Sequence, residues 1–221
     1  MGTAGKSKPA WNSLTMTKVK VCGLTREVDA LLAAELGAAA AGFIFWQGSP
    51  RYVTPVAARA IVDMLPPDIA AIGVFVDASV QHVTDVAKAV GLSAVQLHGK
   101  ETVELCRHIP YRVIKAVPIR DRTNLAAALD VPRDITVLLD AHDPLQKGGT
   151  GRTIDWNVAA TVAARRRVFL SGGLTPANVA KAVETVRPYA VDVASGVEAS
   201  PGVKDEGRLR AFFEAVDQMR V

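Results

Sequence analysis

The feature that most constrains the fold of this 221-residue chain is an alternation of two kinds of segment, which repeats eight times. From Lys18 onward, each short run of β-branched and other apolar residues is followed by an alanine-rich amphipathic stretch. The apolar runs predict strands over 18–22, 41–45, 70–76, 94–98, 112–117, 135–140, 167–172 and 190–195. The amphipathic stretches predict helices over 26–36, 55–64, 79–90, 101–107, 122–129, 155–164, 176–186 and 205–219.

Residues that favour helix starts agree with this period. Thr54, Ser79 and Thr175 are suitable N-caps because their side-chain oxygens can accept hydrogen bonds from the first unpaired amides of a helix. Pro55 and Pro176 lie at or near first helical turns, where a missing N–H is tolerated.

Every predicted strand is apolar enough to be buried on both faces, which is typical of parallel strands covered by helices. Eight β/α units in one chain of this length favour an α/β fold, a single (β/α)8 TIM barrel. An open, doubly wound sheet of eight strands stays as the alternative, because sequence alone does not show whether a sheet closes.

The chain divides into a leader and one large domain. Residues 1–16 are small and polar without periodicity, and we expect a flexible N-terminal leader there. Residues 17–221 carry all the strand and helix signals and are expected to form one catalytic barrel. With 49% hydrophobic and 22% charged residues, the chain has enough apolar surface for a core and lacks the composition of a disordered protein.

Charge and cysteine content exclude several classes of protein. The formal net charge is +4, but residues 1–18 hold three lysines and no acidic residue, so the rest of the chain carries only +1. A dedicated nucleic-acid surface is therefore not expected. Two cysteines, Cys22 and Cys106, cannot build a disulfide framework, and no apolar run is long enough for a membrane span or a signal peptide. We expect a cytoplasmic protein with no membrane partner.

In a barrel of this kind, reactive side chains lie at the carboxyl ends of the strands. Cys22, Asp140 and Asp192 stand at three such ends, and strand alternation allows all three to point toward one barrel mouth. The same alternation predicts that Lys20 and Lys115 point inward, where each would need a carboxylate partner because an unpaired buried charge is costly.

Glycine-rich segments after three consecutive strands predict a phosphate site. Gly149 lies after the sixth strand, Gly172 and Gly173 after the seventh, and Ser195 and Gly196 after the eighth. Phosphate needs clustered backbone amides that can approach closely, and the loops after the last two strands of a barrel commonly supply them. No Walker sequence and no G-x-G-x-x-G follows the first strand, so a nucleotide cofactor is not indicated.

No set of metal ligands is evident, since the four histidines and two cysteines have no ligand spacing. Cys106 is expected to be a small buried hydrophobic residue. Cys22 ends a strand beside a glycine, and a thiol and a carboxylate at one barrel mouth can act as base and acid in a proton transfer.

Several segments carry a family resemblance that covers nearly all of the chain after the leader. The most specific are KVKVCGLT at 18–25, SPRYV at 49–53, LLDA at 138–141, LSGGL at 170–174 and VDVASGVE at 191–198. In this order they resemble the phosphoribosylanthranilate isomerase family of tryptophan biosynthesis. One minor variation is Ala194, where the family often has serine.

This resemblance implies the Amadori rearrangement of a phosphoribosylated anthranilate, with no cofactor. Asp140 matches the family's general acid and Cys22 its general base. Arg51 resembles the contact to the anthranilate carboxylate, and Asp192 resembles a residue near the amine and the ribose hydroxyls. His98 is expected to line the pocket, beside Gln96 on the same strand. A thiol is a mediocre base at neutral pH, so we expect its surroundings to lower the pKa of Cys22.

Other functions and the oligomeric state remain open at this point. The barrel could isomerise the related ProFAR substrate of histidine synthesis, or both substrates, although those relatives carry an aspartate where this chain has Cys22. It could instead be a phosphosugar-binding barrel without catalysis. Both a monomer and a homodimer are compatible with the sequence.

Overall fold

A computed structural model describes residues 16–119, 125–140 and 156–219. Eight parallel strands pair in sequence order, and the first also pairs with the last, so the sheet closes into a barrel. The predicted (β/α)8 barrel is therefore confirmed, and the open sheet is excluded. The strands are β1 (Lys18–Val21), β2 (Ala40–Ile44), β3 (Ala70–Phe75), β4 (Ala94–Leu97), β5 (Arg112–Pro118), β6 (Thr136–Asp140), β7 (Val168–Ser171) and β8 (Ala190–Val193).

The helices follow the strands as predicted, with an additional hairpin before the last one. Seven of them are α1 (Glu27–Glu35), α2 (Pro55–Met64), α3 (Val80–Val90), α4 (Val103–Arg107), α5 (Leu125–Asp130), α6 (Trp156–Ala163) and α7 (Val179–Val186). A short 3-10 turn (Ser195–Val197) then leads into the antiparallel pair β9 (Glu198–Ser200) and β10 (Val203–Lys204), which precedes α8 (Glu206–Asp217). None of the described helices is both long and apolar enough to span a membrane.

Two of the three predicted N-caps are confirmed. The Thr54 side chain accepts a hydrogen bond from the Ala57 amide, and that of Ser79 accepts one from the His82 amide. The prediction for Thr175 is wrong, because α7 begins only at Val179.

The reason lies in the turn before α7. The Asn178 side chain accepts a hydrogen bond from the Thr175 amide at 2.8 Å. The Thr175 carbonyl accepts hydrogen bonds from the amides of Asn178 and Val179. These bonds turn the chain once through Pro176 before the helix starts.

The barrel has two buried layers. Apolar side chains from alanine to phenylalanine fill its interior, among them Ala40, Ile72, Leu138 and Phe169. A larger apolar layer packs the outer strand faces against the helices. Interior residues near the carboxyl ends of the strands give way to polar groups, which places the chemistry at one mouth.

The strand alternation predicts that Lys115 points into the barrel, and this prediction is wrong. Ile114 and Ala116 occupy the interior side of β5, so Lys115 lies on the outer face, in register with Leu97. It still has the expected carboxylate partner, because its ammonium lies 2.8 Å from the Glu101 carboxylate.

Candidate active site

Cys22 lies at the carboxyl end of β1 above a fully buried ion pair. Cys22 is only 6% exposed to solvent. Two residues earlier, the Lys20 ammonium is bonded to the Asp192 carboxylate of β8 at 2.8 Å. The predicted inward ion pair of Lys20 is therefore present, and it places Cys22 and Asp192 at the same part of the mouth.

Gly42 on β2 packs closely against this part of the mouth. A Cβ at Gly42 would lie 2.8 Å from the Cys22 sulfur and 3.1 Å from Lys20 Nζ. Both distances are shorter than ordinary contacts, so any side chain here would displace the thiol or the ammonium.

The pKa of Cys22 is raised, contrary to the lowering expected from the sequence. Burial of the thiol is the largest cause, since a thiolate loses its hydration there. The positive charges of Lys20 and Lys204 act in the opposite direction, and the negative charge of Asp192 adds to the rise. The protein thus supplies cations around the sulfur, but they do not overcome its desolvation.

Asp140 and His98 are brought together. His98 Nε2 lies 2.9 Å from Asp140 Oδ2, and His98 Nδ1 lies 2.8 Å from Gln96 Nε2. Both members of the Asp140–His98 pair are partly exposed at the mouth, whereas Gln96 is buried. Three side chains from β4 and β6 therefore form one hydrogen-bonded chain that ends at the predicted general acid.

Arg51 is held by a carboxylate that the sequence analysis missed. Its Nε and Nη2 atoms donate to both oxygens of Glu198, at 2.7–3.0 Å. The pair is mostly buried, with 21% of the Arg51 side chain exposed and 4% of that of Glu198. Arg51 therefore sits in a fixed position after β2, and its Nη1 atom takes no part in the pair.

Lys204 is a second residue that the sequence analysis missed. Its buried ammonium donates to Glu198 at 2.9 Å, to the Cys22 carbonyl at 2.6 Å and to the Ala194 carbonyl at 3.2 Å. The β9–β10 hairpin thereby ties together the ends of β1 and β8. A search for the partners of Arg51 among the charged residues of segment 191–205 could have suggested both residues.

The predicted phosphate loops after β7 and β8 lie next to each other. Gly172 and Gly173 have left-handed backbones, with φ of 94° and 66°. A Cβ at Gly196 would come within 1.8 Å of the Leu174 carbonyl oxygen, so only glycine fits where the two loops meet. Ser195 is exposed beside it. Gly149, the remaining predicted phosphate residue, lies outside the described residues.

A second buried ionic cluster supports the loop after β4. Glu101 accepts hydrogen bonds from Lys115 Nζ and from the amides of Asp77 and Gly99, all at 2.8–2.9 Å. This cluster fixes the backbone that follows His98. In the described part of the chain, His, Cys, Asp and Glu side chains do not form a group of three that could hold a metal ion.

Comparison with known proteins shows which family the chain belongs to. A family profile described as N-(5'phosphoribosyl)anthranilate (PRA) isomerase matches residues 19–215. The N-(5'-phosphoribosyl)anthranilate isomerase of Pelobacter propionicus is 47% identical over 205 residues, which cover 93% of this chain and 98% of that protein.

Solved structures show the same likeness. The phosphoribosyl anthranilate isomerase of Thermotoga maritima superposes with a TM-score of 0.87 at 45% identity, covering 92% of this chain and all of the other. A phosphoribosyl anthranilate isomerase in complex with reduced 1-(o-carboxyphenylamino)-1-deoxyribulose 5-phosphate superposes with a TM-score of 0.84 at 43% identity, with the same coverage. On the profile match, the sequence identity and the shared barrel, this chain belongs to the N-(5'-phosphoribosyl)anthranilate isomerase family.

Proposed function

We propose that this protein converts N-(5'-phosphoribosyl)anthranilate to 1-(o-carboxyphenylamino)-1-deoxyribulose 5-phosphate in tryptophan biosynthesis. The observation that carries the proposal is the family match over residues 19–215, because it includes both Cys22 and Asp140. Substrate and product are isomers, so the reaction needs proton transfers and no external oxidant or reductant.

Asp140 is the proposed general acid. It donates a proton to the ring oxygen of the ribose, the C1–O bond breaks, and the lone pair of the anthranilate nitrogen forms an iminium ion. The hydrogen bond between Asp140 and His98 holds the carboxyl group at the mouth, where such a transfer can occur.

Cys22 is the proposed general base. It removes the proton on C2, which the neighbouring iminium makes acidic, and an enolamine results. Tautomerisation then adds a proton at C1 and removes the one on the C2 oxygen, which gives the ketone. Lys20 contributes by stabilising the thiolate against the desolvation that raises the pKa of Cys22.

The remaining residues are proposed to hold the two ends and the middle of the substrate. Arg51 would bind the anthranilate carboxylate, since a planar guanidinium matches a planar carboxylate. The amides around Gly172, Gly173, Ser195 and Gly196 would bind the phosphate. His98 would line the pocket.

Asp192 is proposed to lie near the amine and the ribose hydroxyls. One of its carboxylate oxygens is already bonded to Lys20, so its role would be shared between this ion pair and the substrate.

The direct test follows the fall of anthranilate fluorescence when purified protein is added to freshly made N-(5'-phosphoribosyl)anthranilate. Wild-type protein should produce a rapid fall, and Cys22→Ala and Asp140→Asn should each slow it by at least about a hundredfold. Both variants should still bind the reduced product analogue, which shows that their sites are folded. No fall with folded wild-type protein would contradict the proposal and favour ProFAR isomerisation or a binding role.

A further inference from the structure

The orientation of the Arg51 side chain after β2 is fixed by Glu198, which follows β8, two strands away around the barrel mouth. The three hydrogen bonds between them use the Nε and Nη2 edge of the guanidinium and both carboxylate oxygens. This two-point contact restricts rotation about the long arginine stem. It also leaves the Nη1 edge outside the pair.

Glu198 is itself fully held. Besides Arg51, its Oε1 atom accepts hydrogen bonds from Lys204 Nζ at 2.9 Å and from the Gly202 amide at 3.3 Å. Burial acts to raise the pKa of Glu198, but the hydrogen bonds and charges of Arg51 and Lys204 bring it below its ordinary value. The carboxylate is therefore ionised at neutral pH and has one orientation.

The charges of this cluster favour an anionic ligand. Arg51 and Lys204 are two cations for the single carboxylate of Glu198, whereas Lys20 and Asp192 beside them are balanced. Lys204 therefore neutralises Glu198, and the charge of Arg51 remains to attract a carboxylate. Without Lys204, the negative charge of Glu198 would offset that attraction.

We propose that Glu198 is a positioning residue that sets the orientation of Arg51 for the substrate carboxylate, with Lys204 as the counter-charge that makes this arrangement favourable for an anion. The proposal rests on the proposed function, since it assumes that Arg51 binds the anthranilate carboxylate. Glu198 acts only through Arg51 and does not contact the reacting atoms.

The test compares two ligands by calorimetry: reduced 1-(o-carboxyphenylamino)-1-deoxyribulose 5-phosphate and the same compound without its carboxylate. Wild-type protein should prefer the carboxylated ligand by at least about tenfold. In Glu198→Gln, an amide N–H group would face donors of Arg51 or Lys204, so the preference should fall by about tenfold while the second ligand binds as before. In Glu101→Gln, which removes a buried carboxylate elsewhere at the mouth, the preference should not change.

A double-mutant cycle separates positioning from general damage. In an Arg51→Met background, Glu198→Gln should not change the preference any further, because the group on which it acts is absent. If Glu198→Gln alone does not fold, Glu198→Asp retains the charge with a shorter reach, and the preference should then fall by a smaller factor.

Other outcomes would overturn the proposal in distinguishable ways. A preference that stays the same in Glu198→Gln means that Arg51 orients itself, and a preference that rises means that Glu198 competes with the ligand for Arg51. Equal effects of Glu198→Gln and Glu101→Gln would indicate a structural role only. If wild-type protein neither isomerises the substrate nor prefers the carboxylated ligand, the proposed function fails and this inference fails with it.

Discussion

His98 Nε2 is hydrogen-bonded to Asp140 Oδ2 across 2.9 Å, so two side chains from different strands act as one unit. Gln96 adds a third member, and its Oε1 atom is buried without a hydrogen-bond partner among the described residues. Turning the Gln96 amide would let Oε1 accept from His98 Nδ1 and leave His98 Nε2 as an acceptor. In that arrangement His98 can hold the protonated carboxyl group that a general acid requires.

We predict that His98→Ala slows turnover by about tenfold, which is less than the loss expected for Asp140→Asn. In the proposed mechanism His98 only orients the acid, whereas Asp140 supplies the proton itself. Steady-state kinetics on both variants tests this, with His82→Ala as a control because His82 lies on α3 and is not part of this hydrogen-bonded chain. An Asp140→Asn variant that turns over faster than His98→Ala would contradict the assignment.

Removing Lys20 should make Cys22 less reactive. Lys20 lowers the pKa of Cys22, against the larger rise due to burial, so Lys20→Met should raise that pKa further. The rate of alkylation by iodoacetamide increases with pH as the thiol ionises. This increase should therefore occur at a higher pH in the variant than in wild type. Lys20→Met should also destabilise the protein by about 3–5 kcal/mol, since it leaves Asp192 as an unpaired buried charge.

Peptide mapping would confirm that the modified residue is Cys22, because Cys106 is also a free thiol. An unchanged pH profile would show that Lys20 serves only the stability of the barrel.

A pair of glycine substitutions should separate steric from backbone effects at the proposed phosphate site. Gly196→Ala would place a methyl group against the Leu174 carbonyl, so the loop must move and binding of the phosphorylated analogue should weaken by at least about tenfold. Gly173→Ala has open space for its methyl group but a φ of 66°, so it should cost about 1 kcal/mol of stability.

Calorimetric binding and thermal unfolding of both variants give the two quantities. If Gly196→Ala bound the analogue as tightly as wild type, these loops would not be the phosphate site.

The Glu198 carboxylate should make stability depend on pH in the acid range. Its pKa is lower in the folded protein than in the unfolded chain, so it stabilises the fold fully above the unfolded value of about 4.3. This contribution is lost as the pH falls below that value through the folded pKa. Urea denaturation between pH 3 and pH 6 should show a shallower decline for Glu198→Gln than for wild type, and parallel declines would contradict the assigned shift.

The eight strand–helix units could be predicted because every unit repeats the same pattern. The sequence favoured a closed barrel but did not exclude an open sheet, and the strand alternation predicted the wrong side-chain direction in β5. Both faces of this strand are buried, so the neighbours of Lys115 are apolar on either side and do not indicate which face it takes. Its ion pair was predictable on energetic grounds alone.

The partner of Arg51 was missed for a different reason. Glu198 lies 147 residues away in the sequence, on a hairpin that interrupts the strand–helix repeat. A periodic pattern carries no information about an insertion, and contacts over such separations depend on the closed barrel.

The pairing of β1 with β8 also determines when the site comes into being. Lys20 and Asp192 are 172 residues apart, so during synthesis the lysine leaves the ribosome long before its partner exists. Until the eighth strand pairs with β1, Cys22 lacks its neighbouring strand β8. Its carbonyl also lacks the hydrogen bond from Lys204 on the β9–β10 hairpin. The proton transfer proposed for this thiol therefore requires the finished chain, because a nascent or truncated polypeptide with seven strands contains Cys22 without the residues that surround it.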